Sequence, residues 1–290
     1  MSVLEGSWKH EYIISNGIRL HYVTQGEGPL MLMLHGFPEF WYSWRHQIPE
    51  FAKNFKVVAL DLRGYNESEK PPQQSAYVMS EFIKDIEGVI KGLGYESCVL
   101  AAHDWGGAIA WCFAYDRPSM VEKLIVLNIP HPARFIEGLR TPPQLLRSSY
   151  IFFFQLPGLP EWGLQVNDYA AIETAFLGMA VDKSAFSKAD INAYKDAAAK
   201  RGALTAMLNY YRNASQSLPR PQWGILETPT LMIWGENDPA LSKELSYGTE
   251  AYVRDFSIKY IPNCSHWVQQ EQPVLVNQYM REWLADYSVS

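Results

Sequence analysis

Short apolar runs that alternate with helical stretches constrain this chain more than any other feature. Such runs cover residues 30–34, 57–60, 98–102 and 123–127. A strand that is apolar at nearly every position is covered on both faces, as in a parallel sheet layered between helices. Residues 39–53, 80–93 and 106–115 lie between these runs and carry helical spacing of large apolar groups, with Ser80 as the expected N-cap of the second. At the start of the chain, residues 9–14 and 18–24 flank Asn16-Gly17, a tight hairpin signal, so two antiparallel strands are expected there. The alternation stops after Leu127. Residues 133–222 show no buried-strand pattern, only helical stretches such as 187–200 and 203–211, broken by prolines. It resumes at 230–234 and 257–261 and ends in an amphipathic helix over 273–284. The expected fold class is α/β. A mostly parallel sheet of eight strands forms a core from residues 1–132 and 223–290, and a helical cap is inserted at 133–222.

Composition limits the partners. Hydrophobic residues are 48% and charged residues 19%, enough for a large core and too apolar for disorder. The net charge of −6, with scattered Lys and Arg, argues against nucleic acid and against an anionic membrane surface. No run approaches the ~18 apolar residues of a membrane helix, so no membrane insertion is expected. Residues 1–8 lack the basic and apolar regions of a secretory signal. The three cysteines, Cys98, Cys112 and Cys264, have no CxxC spacing. A cytoplasmic chain with reduced thiols, monomeric or homodimeric, is therefore the expectation. The 7 histidines form no HExxH or paired ligand spacing, so neither metal nor cofactor is expected.

Three loops, each directly after an apolar run, carry the reactive groups. Ligands of open α/β sheets gather at that edge. In Ala102-His103-Asp104-Trp105-Gly106, small residues sit two before and two after Asp104. A sharp strand–turn–helix elbow needs this spacing because backbone packs on backbone there, and the residue at its apex is the nucleophile. A carboxylate is already ionised at pH 7 and needs no base to attack. The competing use of Asp104 is as a helix N-cap. Gly235-Glu236-Asn237-Asp238 offers an acid to orient a histidine, Asp238 or its rival Glu236. The run ending at Leu127 is followed by Asn128, which cannot serve as that acid. Cys264-Ser265-His266-Trp267 supplies the histidine. Nucleophile, acid, histidine is the chain order of the α/β-hydrolase triad. The loop His35-Gly36-Phe37-Pro38 completes it: backbone N–H groups of Phe37 and Trp105 would form the oxyanion hole. A cis Phe37–Pro38 peptide suits such a tight loop.

These segments together resemble an epoxide hydrolase of the α/β-hydrolase superfamily, along nearly the whole chain. The resemblance rests on His35-Gly36-Phe37-Pro38, Asp61-Leu62-Arg63-Gly64-Tyr65, His103-Asp104-Trp105-Gly106-Gly107, Asn128-Ile129-Pro130-His131-Pro132 and the acid and histidine loops. It implies hydrolysis of an epoxide to a vicinal diol through an ester on Asp104, resolved by water activated by His266 and Asp238. It also implies two cap tyrosines that hydrogen-bond the epoxide oxygen. Residues 150–158 resemble the first tyrosine motif, pointing to Tyr150. Residues 209–213 resemble the second, pointing to Tyr211 with Tyr210 as fallback. The substrate implied is a small lipophilic epoxide, with water, bound by Phe37, Pro38, Trp105, Phe153 and Trp267. Phe152, Phe154, Leu156 and Trp162 would add to an apolar cap lining.

Two neighbouring activities share the aspartate nucleophile. Haloalkane dehalogenases resemble this chain in having a tryptophan after the aspartate. Their second halide donor, an Asn or Trp side chain, is replaced here by Phe37. Fluoroacetate dehalogenases hold a carboxylate with arginines on the elbow helix, where this chain has Trp105 and Ala108. A non-catalytic small-molecule receptor on the same fold is the alternative from another class.

Overall fold

The computed structural model describes residues 3–214 and 223–285. Its strands are β1 (Lys9–Ser15), β2 (Ile18–Gln25), β3 (Leu30–Leu34), β4 (Lys56–Leu60), β5 (Cys98–His103), β6 (Val121–Leu127), β7 (Thr230–Gly235) and β8 (Phe256–Ile261). They form one eight-stranded sheet in the order β1-β2-β4-β3-β5-β6-β7-β8. β1 pairs antiparallel with β2, and β2 with β4, while every later pairing is parallel. Every residue of the central strands β3, β5 and β7 is buried. The edge strands β1 and β8 are the exposed ones. The apolar runs thus mark the strands that helices cover on both sides.

The helices are α1 (Ile48–Phe51), α2 (Met79–Gly92), α3 (Asp104–Asp116), α4 (Pro132–Gly138), α5 (Pro142–Arg147), α6 (Tyr150–Phe153), α7 (Leu159–Met179), α8 (Lys188–Ala199), α9 (Ala203–Arg212), α10 (Val268–Glu271) and α11 (Pro273–Leu284). Residues 132–214 contain helices α4 to α9 and no strand. Residues 215–222, the end of the expected cap, lie outside the described residues.

Two local expectations fail. Residues 39–53 are not one helix. They form a 3-10 turn at Trp41–Trp44 and then the short α1, because Pro49 lacks the N–H that would bond back to Arg45. Ser80 is not a cap either. α2 starts at Met79 after an extended Val78, which makes no side-chain cap. Ser187 does cap α8, in a reciprocal box with Asp190.

One buried ion pair ties α2 to the loop after β4. Arg63 reaches Asp85 with two bonds, Nε to Oδ2 at 2.8 Å and a terminal nitrogen to Oδ1 at 2.6 Å. Both residues are buried. Asp85→Ala would leave the buried guanidinium with only the longer 3.9 Å pairing to Glu81, so the expected loss of stability is about 3 kcal/mol in chemical denaturation.

The order β4-β3-β5 reverses the sheet's winding between β3 and β5. Crevices at such switch points take ligands. The loops after β3 and β5 face each other there.

Candidate active site

Asp104 is the first residue of α3, and its φ of +48° is in the left-handed region. A non-glycine residue is strained there and persists only where its surroundings force it. The force comes from close backbone packing. A Cβ at Gly106 would lie 2.6 Å from the Leu34 carbonyl oxygen, and one at Gly36 would overlap the Asp104 carboxyl. The N-cap of α3 is His103, without a side-chain cap bond, so Asp104 is free of that duty. Its Oδ1 accepts instead from the Phe37 N–H at 2.8 Å. The Phe37–Pro38 peptide in that loop is cis.

His266 joins two carboxylates. Its Nδ1 lies 2.7 Å from Asp238 Oδ2, and its Nε2 lies 3.5 Å from Asp104 Oδ2. Asp238 is held at both oxygens. Oδ1 accepts from the N–H groups of Ala240 at 2.8 Å and Leu241 at 2.9 Å, and Oδ2 accepts from Asn128 Nδ2 at 2.8 Å. The rival acid Glu236 turns away into an ion pair with Lys243. Burial alone would push the His266 ring down. The charges of Asp238 and Asp104 outweigh it and hold His266 well above the usual histidine range. Burial would raise Asp104, but His266, His103 and the Phe37 N–H together keep it below the usual carboxylate range.

The two tyrosines expected from the sequence approach from the helices between β6 and β7. Tyr150 on α6 and Tyr211 on α9 line a cavity of ≈ 60 Å³ with Asp104, Trp105, Ile129 and Ile151. The two phenol rings meet at a centroid distance of 5.8 Å. Burial, and after it neighbouring charge, raises both phenols above the ordinary tyrosine value, so both remain protonated at neutral pH. Tyr210 points elsewhere and donates to the Arg63 carbonyl at 2.6 Å.

Other expected contacts are sorted by the same geometry. Trp105 lines the cavity, its indole edge-on to Tyr211. The Phe37 ring packs against Phe154 and Tyr211 and is not among the residues that line the cavity. Pro38 and Trp267 are buried but off the cavity wall, and Trp267 packs against His266 and Phe176. Phe153 is off the wall too, 41% exposed. Phe152, Leu156 and Trp162 also face outward, and Phe154 is the one phenylalanine of the three that turns in. α6 has a single turn, so Tyr150 and Ile151 take its inner side and the next two rings its outer side.

Sequence reasoning missed a supporting layer. His103 Nε2 lies 2.8 Å from the His266 carbonyl, and its Nδ1 lies 2.7 Å from Glu39 Oε2. Glu39 also accepts from the Gly36 N–H at 2.9 Å and from Gln269 and Gln270. One buried carboxylate thus fixes the loop after β3, the elbow and the histidine loop. Its signal was an acid directly after Phe37-Pro38. Asn128 lacks a carboxylate, yet its amide donates to the Asp238 carboxylate. No group of three or more His, Cys, Asp or Glu among the described residues could hold a metal ion.

Residues 29–273 match the family defined by the α/β-hydrolase fold. Epoxide hydrolase 4 of Mus musculus is 46% identical over 273 residues, 91% of this chain and 76% of that protein. This chain belongs to the epoxide hydrolase family of α/β-hydrolases. A second relative, AB hydrolase superfamily protein YfhM of Bacillus subtilis (strain 168), is 41% identical over 281 residues, 95% of this chain and 98% of that protein. The solved epoxide hydrolase of Bacillus megaterium in complex with an inhibitor has a TM-score of 0.89 at 40% identity, covering 95% of this chain and 100% of that one. The α/β-hydrolase fold explains why Asp104, Asp238 and His266 converge from separate strand ends. No helix among the described residues is long and apolar enough to cross a membrane.

Proposed function

We propose that this chain hydrolyses small lipophilic epoxides to vicinal diols through an ester on Asp104. The observation that carries the reading is the pair of protonated phenols, Tyr150 and Tyr211, in one apolar-walled cavity with the Asp104 carboxylate. Helices α4 to α9 act as the cap that brings them there. Opening an epoxide demands a nucleophile at carbon and a proton donor at oxygen, on opposite sides of the breaking bond.

The two oxygens of Asp104 divide the work. Oδ1 is held by the Phe37 N–H, whereas Oδ2 has no backbone donor and faces His266. Oδ2 therefore attacks the epoxide carbon, the C–O bond breaks, and a tyrosine supplies the proton to the departing oxygen. Oδ1 becomes the ester carbonyl, already seated at the Phe37 N–H, and the Trp105 N–H is the second donor proposed for the oxyanion that follows. His266, oriented by Asp238, then takes a proton from water, which attacks the ester carbon. Collapse of the tetrahedral intermediate expels the diol, whose leaving oxygen takes the proton held by His266, and the proton left on the Asp104 carboxyl returns to the tyrosinate, so the resting enzyme is restored.

The test is diol formation from styrene oxide and terminal aliphatic epoxides beside halide release from a bromoalkane. Diol without halide is expected. Halide release without diol would turn the assignment to a dehalogenase, and neither product would leave a binding protein.

A further inference from the structure

The cavity lies to one side of the nucleophile. In the sheet order β3-β5-β6-β7, the loop after β3 falls on one side of Asp104 and the loop after β6 on the other. Ile129, Pro132 and Phe135, which follow β6, and Leu241, which follows β7, line the cavity. Among the described residues, none from the loop after β3 lines it. Aromatic rings fill that side instead. The Phe37 ring stands 5.7 Å from Phe154 and 5.2 Å from Tyr211, centroid to centroid. The buried Phe154 ring lies 5.0 Å from Tyr211 and 5.5 Å from Tyr150. Both phenols thus border the cavity and are also backed by packed rings.

That asymmetry limits what an epoxide can carry. The three-membered ring has two carbons, and the substituents of a trans-disubstituted ring leave in opposite directions. With the ring oxygen at the phenols and one carbon at Asp104, a group directed into the cavity finds room. A group directed at the β3 side would meet Phe37 and Phe154, and forcing atoms into packed rings is costly. The open side suits hydrocarbon. Its wall adds Ala108, Ile151 and Ala214, and Asp104 is the one charged residue among those that line it.

Resting on the epoxide chemistry proposed above, we propose that the substrate is a terminal epoxide, its one apolar substituent lodged between Phe135, Ala214 and Leu241 and its bare methylene end against Phe37 and Phe154. These two phenylalanines set the preference, because they reject a second substituent by occupying its place.

Full-length protein should be assayed with styrene oxide and trans-β-methylstyrene oxide, which differ by one methyl on the second ring carbon. The kcat/KM for styrene oxide should be higher by about 10- to 200-fold, the range that one methyl group commands in a packed pocket. Intrinsic reactivity contributes to that ratio, so its change on substitution decides the matter. Phe37 carries the oxyanion N–H, and Phe154 behind it is therefore the ring to cut. Phe154→Ala should shrink the ratio by about tenfold, and a general loss from looser phenols cancels in it. Phe154→Leu, the smaller change in volume, should shift the ratio the same way with less effect on Tm. Conversely, Ala214→Phe should fill the arm and lower kcat/KM for styrene oxide against propylene oxide by about tenfold. Equal kcat/KM for the two styrene oxides in wild type would overturn the proposal and leave the epoxide reading standing. So would a wild-type ratio in folded Phe154 variants, or an Ala214→Phe variant that treats styrene oxide and propylene oxide as wild type does. Absence of diol from every epoxide would bring down the epoxide reading, and terminal selectivity with it.

Discussion

Mixed with a reactive epoxide, a His266→Gln variant should accumulate protein heavier by one whole substrate molecule. Ring opening is an addition, so no atom of the epoxide leaves. Asp104 is ionised before the substrate arrives, and its attack needs no base. Hydrolysis of the ester does need one, because neutral water is a poor nucleophile, and losing a positioned base costs about 10²–10⁴-fold. Turnover should fall by that factor while the first step persists. Mass spectrometry should place the addition on the peptide holding Asp104. Asp104→Ala should lose both adduct and turnover. If His266→Gln gives no adduct while wild type makes diol, water attacks the epoxide directly and the ester mechanism is wrong.

The second large effect is expected at the phenols. Tyr150→Phe or Tyr211→Phe should slow ring opening by up to about 10²-fold, by analogy with losing one donor to a developing oxyanion. The double variant should retain little epoxide turnover, because no other cavity-lining residue named here offers a comparable proton. The rate of adduct formation in a single turnover is the measurement, since it isolates the step the phenols serve. Wild-type rates in the double variant would reduce both tyrosines to packing and revive the dehalogenase reading.

The elbow and the order of the reactive loops were legible because steric demands fix them. Only small residues fit at Ala102 and Gly106, and only short apolar runs make doubly covered strands. Tyr150 and Tyr211 were reached through resemblance rather than pattern, since nothing local separates a cavity phenol from the core phenol of Tyr210. The orientation of Phe152 and Phe153 was hidden for a related reason. A run of three phenylalanines is apolar in every direction, and a one-turn helix has too little periodicity to say which ring turns in. The Glu39 network was illegible because its partners, His103, Gln269 and Gln270, are distant in sequence and no spacing rule joins them. Residues 39–53 misled because their aromatic spacing mimics a helix that Pro49 interrupts.

The bracketing of His266 between two carboxylates gives the proposed reaction an internal clock. Before any ester forms, both anions raise the ring's affinity for a proton. In the proposed mechanism, forming the ester erases the charge on Asp104. His266 then loses one of the two anions that raise it, and its affinity for the proton falls at the moment when water must be activated. On that mechanism the substrate itself loosens the ring's hold on its proton, so that attack and hydrolysis follow in order.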